Sequence, residues 1–455
     1  MSLSSRIEDL PNDGPLLDVE ARSSNTDDVS EPIGPSGLSR RGFLRGAALT
    51  GGGIMAATLA ACAPAAGAPG WTYGPLNSEA PAGGVTPPPS TPVPSQVVTP
   101  SASAPSGNVP AGYSQHDIDA RNIIRRYVGN LAPALQGIYG DDVFKTFADM
   151  LNVEDNYPEL KAKPAFAQVD QLVLNDALKP LTPEMDGDVK VFKLTVDQMD
   201  QKIDEMRPPV AALGYNKQWP GPTIRAKEGD KLRILVTNNL DEATSVHWHG
   251  MDLDDFRMDG VPFVTQKPIV PGQTWTYEFT ATSTGSLMYH SHHNATDQVG
   301  RGLLGALIID PKDDVAFDRD YVWISNDALG GFTINGHGFP AVVPVLAAVG
   351  ETVRLRFMNE GVMMHPWHLH GNLMKIVTRD GRPLGTAAFE CDTIGVNPGE
   401  RFDALVTPTR PGIWAFHCHV LPHVEGINGM YGMVNTLMVV PKKEHVDAII
   451  QALIA

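Results

Sequence analysis

The chain repeats itself, and the repeat carries histidines. His247-Trp248-His249-Gly250 recurs 121 residues later as His368-Leu369-His370-Gly371. His290-Ser291-His292 recurs as His417-Cys418-His419, and Pro271-Gly272 as Pro398-Gly399, both 127 residues later. Glu228-Gly229-Asp230-Lys231-Leu232-Arg233 matches Val349-Gly350-Glu351-Thr352-Val353-Arg354 in pattern. Asn238 and Asn359 each stand nine residues before the first histidine of a pair. A period of about 125 residues means a domain copied once, not a stack of short solenoid units. Any fold assigned here must therefore stand twice in tandem and present two His-x-His pairs in each copy.

Local patterning says what that domain is made of. From about residue 188 the sequence breaks into short alternating segments, such as Lys231-Leu232-Arg233-Ile234-Leu235-Val236 and Thr274-Trp275-Thr276-Tyr277-Glu278-Phe279, bounded by Gly, Pro, Asn or Asp. That pattern predicts an all-β sandwich with one solvated face per sheet. The copies span 188–318 and 319–445.

On a strand, residues i and i+2 share a face, so each His-x-His offers two imidazoles side by side. Eight such imidazoles exceed what a zinc site needs and suit copper, which heads the divalent affinity order and favours nitrogen ligands. Alternation puts Cys418 on the opposite face from His417 and His419. Cys418 can then bind one metal while its neighbours bind others, which makes the backbone a short covalent wire. Two histidines, one cysteine and a weak axial methionine form the blue-copper arrangement.

Val246-His247-Trp248-His249-Gly250, Tyr289-His290-Ser291-His292, His365-Pro366-Trp367-His368-Leu369-His370-Gly371 and His417-Cys418-His419 with His423 resemble, in this order, the four copper-binding motifs of multicopper oxidases. Asp259-Gly260-Val261-Pro262 and Gln266 to Gly272 match as well, and the resemblance covers roughly 188–441. It implies two tandem cupredoxin-like Greek-key sandwiches and four coppers per subunit: one type 1, one type 2 and a type 3 pair. It further implies that His365, Cys418 and His423 bind the type 1 copper, and that His247 and His368 bind the type 2 copper. His249, His290, His292, His370, His417 and His419 would bind the type 3 pair. The implied activity is laccase-like: one-electron oxidation of a phenolic, aromatic or metal-ion donor, coupled to four-electron reduction of O2 to water. Asp259 occupies the place of an acidic residue that the family uses for proton delivery near the type 2 copper, with Glu425 a weaker second candidate.

The sequence departs from the family pattern at the axial position. The usual site, five residues past the second type 1 histidine, holds Asn428. The loop after it is long, and Met433, which leads into the last strand, is the first choice, with Met430 the second. The first copy has no type 1 site: Thr244, Ser291 and Thr296 stand where His365, Cys418 and His423 stand in the second. A blue copper in the second domain alone resembles the two-domain laccases, whose three-copper cluster forms between subunits of a homotrimer. A copper nitrite reductase and a non-catalytic cell-surface copper or electron-transfer protein are the competing readings. The first needs only three cluster histidines and has its blue copper in the first domain; the second needs no complete cluster. Elsewhere, His293, His337 and His116 read as second-sphere or surface residues, Cys391 as a buried free thiol, and Met363 and Met364 as ordinary core.

Residues 1–62 read as an address. Ser39-Arg40-Arg41-Gly42-Phe43-Leu44-Arg45 is a twin-arginine export pattern, and the apolar run of about 16 residues that follows is too short to span a bilayer. It ends in Leu59-Ala60-Ala61-Cys62, which resembles a lipobox with Cys62 as the lipid anchor; the alternative is cleavage at an Ala-x-Ala site beside an incidental cysteine. The 38 residues ahead of the signal leave the start codon open. Residues 63–112, rich in Ala, Pro, Gly, Ser and Thr, read as an extended linker. These features predict a protein outside the cytoplasm, lipid-anchored in the periplasm or on the outer face of the cell membrane. Residues 113–187 carry apolar residues at helical spacing over 118–131 and 143–151. They predict two amphipathic helices packed on the catalytic body, with an interaction arm or partial disorder as alternatives. A net charge of −17 excludes the basic footprint of nucleic-acid binding. Three cysteines, two of them spoken for, leave no disulfide framework.

Overall fold

The structure is a computed structural model and describes residues 113–129, 137–140, 180–204, 207–328, 331–427 and 429–454. The export signal, the linker, the segment 143–151 and Asn428 lie outside the described residues.

Two β-sandwiches follow one another. In the first, one sheet orders Glu184–Asp186, Val189–Gln201, Lys231–Asn238 and Thr274–Thr280, with Val210–Tyr215 on the second of these. The facing sheet orders Gly221–Lys227, Leu304–Asp310, Gly285–His290 and His247–His249. The second domain repeats the plan. Thr333–Ile334, Arg319–Asn326, Val353–Asn359, Arg401–Val406 and Met374–Arg379 form one sheet. Val345–Ala348, Val434–Val440, Gly412–Cys418, His365–Leu369 and Thr393–Val396 form the other. Even the parallel pair recurs, as Val189–Gln201 beside Lys231–Asn238 and Arg319–Asn326 beside Val353–Asn359. This is the tandem cupredoxin-like all-β fold.

Period-2 patterning explains the layers. Lys231–Asn238 alternates exposed or half-buried Lys231, Arg233, Leu235 and Thr237 with buried Leu232, Ile234, Val236 and Asn238. The buried set joins Phe192, Trp248 and Tyr289 in the first core. A separate apolar cluster joins the domains, with Ile203, Trp219 and Met288 against Val322, Ile324 and Met358. Beside it, buried Arg356 donates to Asp320 at 2.6 and 3.0 Å and to Ser286 Oγ at 2.9 Å. Removing one partner from such a pair would leave a buried charge uncompensated. Apolar burial and this network together fix the domain orientation.

Of the N-terminal extension, Gln115–Gly129 is a helix packed on the second sandwich. Its partner predicted over 143–151 lies outside the described residues. Among the described residues no helix is long and apolar enough to cross a membrane.

Candidate metal centres

The strand ladders put the histidines in register. His247 pairs with His290, and His368 pairs with His417. Trp367 pairs with Cys418 on the alternate rung, so Cys418 points into the core while His417 stays half-buried at the edge. His292, His370 and His419 fall just past their strand ends and are exposed.

In the second core, His365, Cys418 and His423 are all buried and close together. Cys418 Sγ lies 3.8 Å from His365 Nδ1 and 3.6 Å from His423 Nδ1. Metal–sulfur and metal–nitrogen bonds of about 2.3 and 2.0 Å, known from zinc sites, require roughly 3.7 Å between these atoms in a trigonal plane. Met433 is fully buried beside them. Its N–H donates to the His423 carbonyl and its own carbonyl accepts from Cys418 N–H, each at 3.0 Å. Burial pushes the Cys418 thiol up to about 11 and lowers His423 to about 4. A bound cation would offset that cost, because coordination favours the thiolate form of Cys418.

Two other histidine sets lie at the surface, one per domain. In the first, His249 Nδ1 is 3.3 Å from His290 Nε2, and the ligand atoms of His247, His249 and His290 all lie within 4.8 Å of one another. In the second, His370 Nε2 is 3.1 Å from His417 Nε2, and the rings of His368 and His419 close the group. Local hydrogen bonds aim these rings. His290 Nδ1 is held by the carbonyl of Ser291 and His417 Nδ1 by that of Cys418, each at 2.9 Å, which turns the Nε2 atoms inward. Among the described residues, ring contacts stay within one set. His249 is covered on its second-domain side by Gly399, where a Cβ would lie 3.1 Å from its Cε1. Each set is thus an open group of imidazoles at one edge of its own sandwich.

A multicopper oxidase family model matches residues 197–314, and a second matches 318–440, together more than half of the chain. The chain belongs to the multicopper oxidase family. It is 40% identical over 292 residues to copper resistance protein A of Pseudomonas syringae pv. tomato, covering 50% of this chain and 47% of that protein. It is 32% identical over 233 residues to laccase-2 of Botryotinia fuckeliana, covering 43% and 39%. The chain therefore spans about half or less of these relatives' length. The blue copper oxidase of Nitrosomonas europaea superposes with a TM-score of 0.53 at 31% identity, over 55% of this chain and 86% of that one.

The donor sets fit the family's copper. A buried sulfur with two Nδ1 atoms at trigonal spacing suits a blue site, and converging imidazole nitrogens suit a cluster. The domain without a blue site shows the contrast. Thr244 and Ser291, the counterparts of His365 and Cys418, both donate to Gln298 Oε1, at 2.9 and 2.6 Å. All three are fully buried, and an amide stands where the second domain gathers its sulfur and imidazoles.

Several supporting residues carry no sequence motif. Asp327, from the loop after Arg319–Asn326, accepts from the N–H groups of Val362 and Met363 at 2.6 and 2.8 Å. Its Oδ2 lies 3.1 Å from His365 Nε2, by an oblique approach. Burial alone would raise its pKa, but His365 and the Val362 N–H keep it below the ordinary range. It leaves Nδ1 of His365 free to face Cys418. Asp259 holds His247 in a related way: its carbonyl is 2.7 Å and its carboxylate 3.3 Å from Nδ1. Gly260 makes this possible, since a Cβ there would sit 1.8 Å from the Val246 carbonyl oxygen. The counterpart in the second domain is Asp392, whose carbonyl lies 3.2 Å from His368 Nδ1, helped by Thr393 Oγ1 at 2.8 Å. Burial lowers His249 to about 3, helped by the charge of Arg401, which reaches across from the second domain.

Other expectations change. Met363 and Met364 are exposed, because Asp327 pins the loop before His365 outward instead of into the core. His337 is half-buried, in a turn that faces the backbone of Lys202 and Ile203, and is not a free surface residue. Cys391 is free but only half-buried, on the edge strand Phe389–Cys391. His293 is half-buried with its Nδ1 enclosed, and Met430 is exposed. Glu425 faces His116, not the histidine sets.

Proposed function

We propose that the protein is a laccase-like oxidase in which His365, Cys418, His423 and axial Met433 hold a type 1 copper. His247 and His368 serve a type 2 copper, and His249, His290, His292, His370, His417 and His419 a type 3 pair. When bound, the coppers supply one-electron chemistry that carries electrons from a phenolic, aromatic or metal-ion donor to O2, which takes four electrons and four protons to give two waters. The carrying observation is the shared strand: Cys418 points into the enclosed sulfur site while its neighbours His417 and His419 belong to an open histidine set. Cys418 provides the route from donor to cluster. Asp259, beside His247, holds a proton at its carboxylate and passes it toward the cluster.

The two open histidine sets within one chain support a cluster completed by a neighbouring subunit, in a homotrimer. Twin-arginine export and a lipid at Cys62 would hold the enzyme outside the cytoplasm. Copper counting with an oxygen electrode tests the reading. Four coppers per subunit, a blue band and O2 uptake in the ratio of one O2 per four donor electrons are expected. A blue band with one copper per subunit and no O2 uptake would instead mark an electron carrier.

A further inference from the structure

The helix Gln115–Gly129 lies ahead of both family-matched segments, and it lands on the chain between His423 and Met433. That chain is a minimal hairpin, Glu425–Gly426 against Gly429–Met430, with only two paired rungs. A ladder this short has little stability of its own, so contacts from outside must hold it.

The helix supplies them along three turns. His116 Nδ1 lies 3.0 Å from the Ile427 carbonyl oxygen, and Nε2 lies 3.4 Å from Glu425 Oε1, so one ring spans the hairpin tip and its first strand. One turn on, Ala120 packs on Gly429, where a Cβ would come 2.5 Å from Ala120 Cα and where φ is +101°. Two turns on, Ile123 and Tyr127 are buried in the same core cluster as Val424, Cys418 and Met433. The Tyr127 ring lies 4.8 Å from Phe339, whose N–H donates to the Gly432 carbonyl at 2.8 Å. The helix therefore backs the loop from Glu425 to Met433.

His365 and His423 are both sealed from solvent, and Phe332 stacks on His423 at 4.1 Å. The chain around His423 exposes three large apolar side chains, Ile427 at 67%, Leu421 at 57% and Met430 at 42%, with the exposed carboxylate of Glu425 among them held by His116. A donor must rest on such groups to reach the sealed ring.

We propose that the helix Gln115–Gly129 is part of the electron-donor site, with His116 the positioning residue that holds the hairpin and its apolar edge where a bulky aromatic donor packs. The inference rests on His423 being a type 1 ligand. Ile427 and Met430 share the hairpin that His116 bridges, so freeing the hairpin weakens donor binding without changing the chemical step. Such a change raises KM and leaves kcat in place.

The test compares the full chain with His116→Ala and His116→Gln. Gln keeps a donor for the Ile427 carbonyl. Hydrogen exchange at Tyr431, whose N–H bonds the Val424 carbonyl at 2.9 Å, reads the hairpin without needing copper. Faster exchange in His116→Ala, a several-fold rise in KM for a bulky phenol at unchanged kcat, an unchanged KM for ferrocyanide and recovery in His116→Gln are expected. Unchanged exchange would overturn the proposal. So would faster exchange with an unchanged phenol KM, which would make the helix a structural brace only. A wild-type chain that takes up copper without a blue band would overturn it by removing the type 1 reading itself, and would be seen before any variant is made.

Discussion

The two domains share a histidine ladder but differ at the pole of the sandwich. His247 faces His290 as His368 faces His417, and Ser291 and Cys418 each supply the carbonyl that aims the ring before it. Yet in one domain the buried pole closes on Gln298, and in the other on Cys418, His365 and His423. The fold thus tolerates either an amide or a cysteine–histidine set at this position, provided every buried polar group finds a partner. The sulfur site is complete within one domain; each histidine set is open. A duplicated scaffold can keep one side-chain set in both copies and the other in only one.

The largest break in this comparison is Cys418→Ser, which gives the second domain the side chain of the first. The blue band should vanish and donor-driven turnover should fall to background, while copper at the histidine sets remains countable by EPR and metal analysis. Retention of a blue band would contradict the sulfur assignment. Next is Gln298→Ala, which strips the shared acceptor from Thr244 and Ser291 and the donor from the Ala243 carbonyl. Chemical denaturation should show a loss of about 2 kcal/mol for these buried orphans, with the blue spectrum unchanged.

Asp327→Asn keeps the shape beside His365 but removes a buried negative charge. The type 1 potential should rise with the blue band retained, read by redox titration; an unmoved potential would show that Asp327 only braces the loop. Met433→Leu should also shift the potential, while Met430→Leu should not, since Met430 is exposed.

The smallest effect concerns Glu360, whose counterpart is Asn239, one residue past the matching asparagine. Glu360 Oε1 is enclosed without a hydrogen-bond partner, and burial raises the carboxyl to about 8. A raised carboxyl binds its proton more tightly folded than unfolded. Stability from this group is therefore full below about pH 4.5 and is lost as pH rises toward 8. Glu360→Gln should be more stable than the parent at pH 8 and little changed at pH 5, measured by denaturant titration.

Much of this was legible in the sequence because it is periodic. The alternation of Lys231–Asn238 fixes its faces, and the spacing of His417, Cys418 and His419 separates the sulfur from its neighbours. The supporting residues were not legible. Asp327 meets His365 from another sheet, Gln298 lies in a short helix with no motif, and Asp392 reaches His368 mainly through a carbonyl. Such partners are set by three-dimensional register. Met363 and Met364 misled because an apolar pair beside a buried histidine reads as core until the Asp327 clamp is seen. The helix from 115 was readable as amphipathic, but nothing in its spacing says which loop it covers.

The proposed completion of the cluster by a second subunit can be tested by mixing two inactive chains. One carries His247→Ala and His249→Ala, the other His368→Ala and His370→Ala, and the two are co-assembled in equal amounts. If neighbouring subunits each contribute one set, random mixing should restore O2 uptake at about a quarter of the sites, although neither variant is active alone. Mixed oligomers that form, retain the blue band and show no O2 uptake would contradict the account.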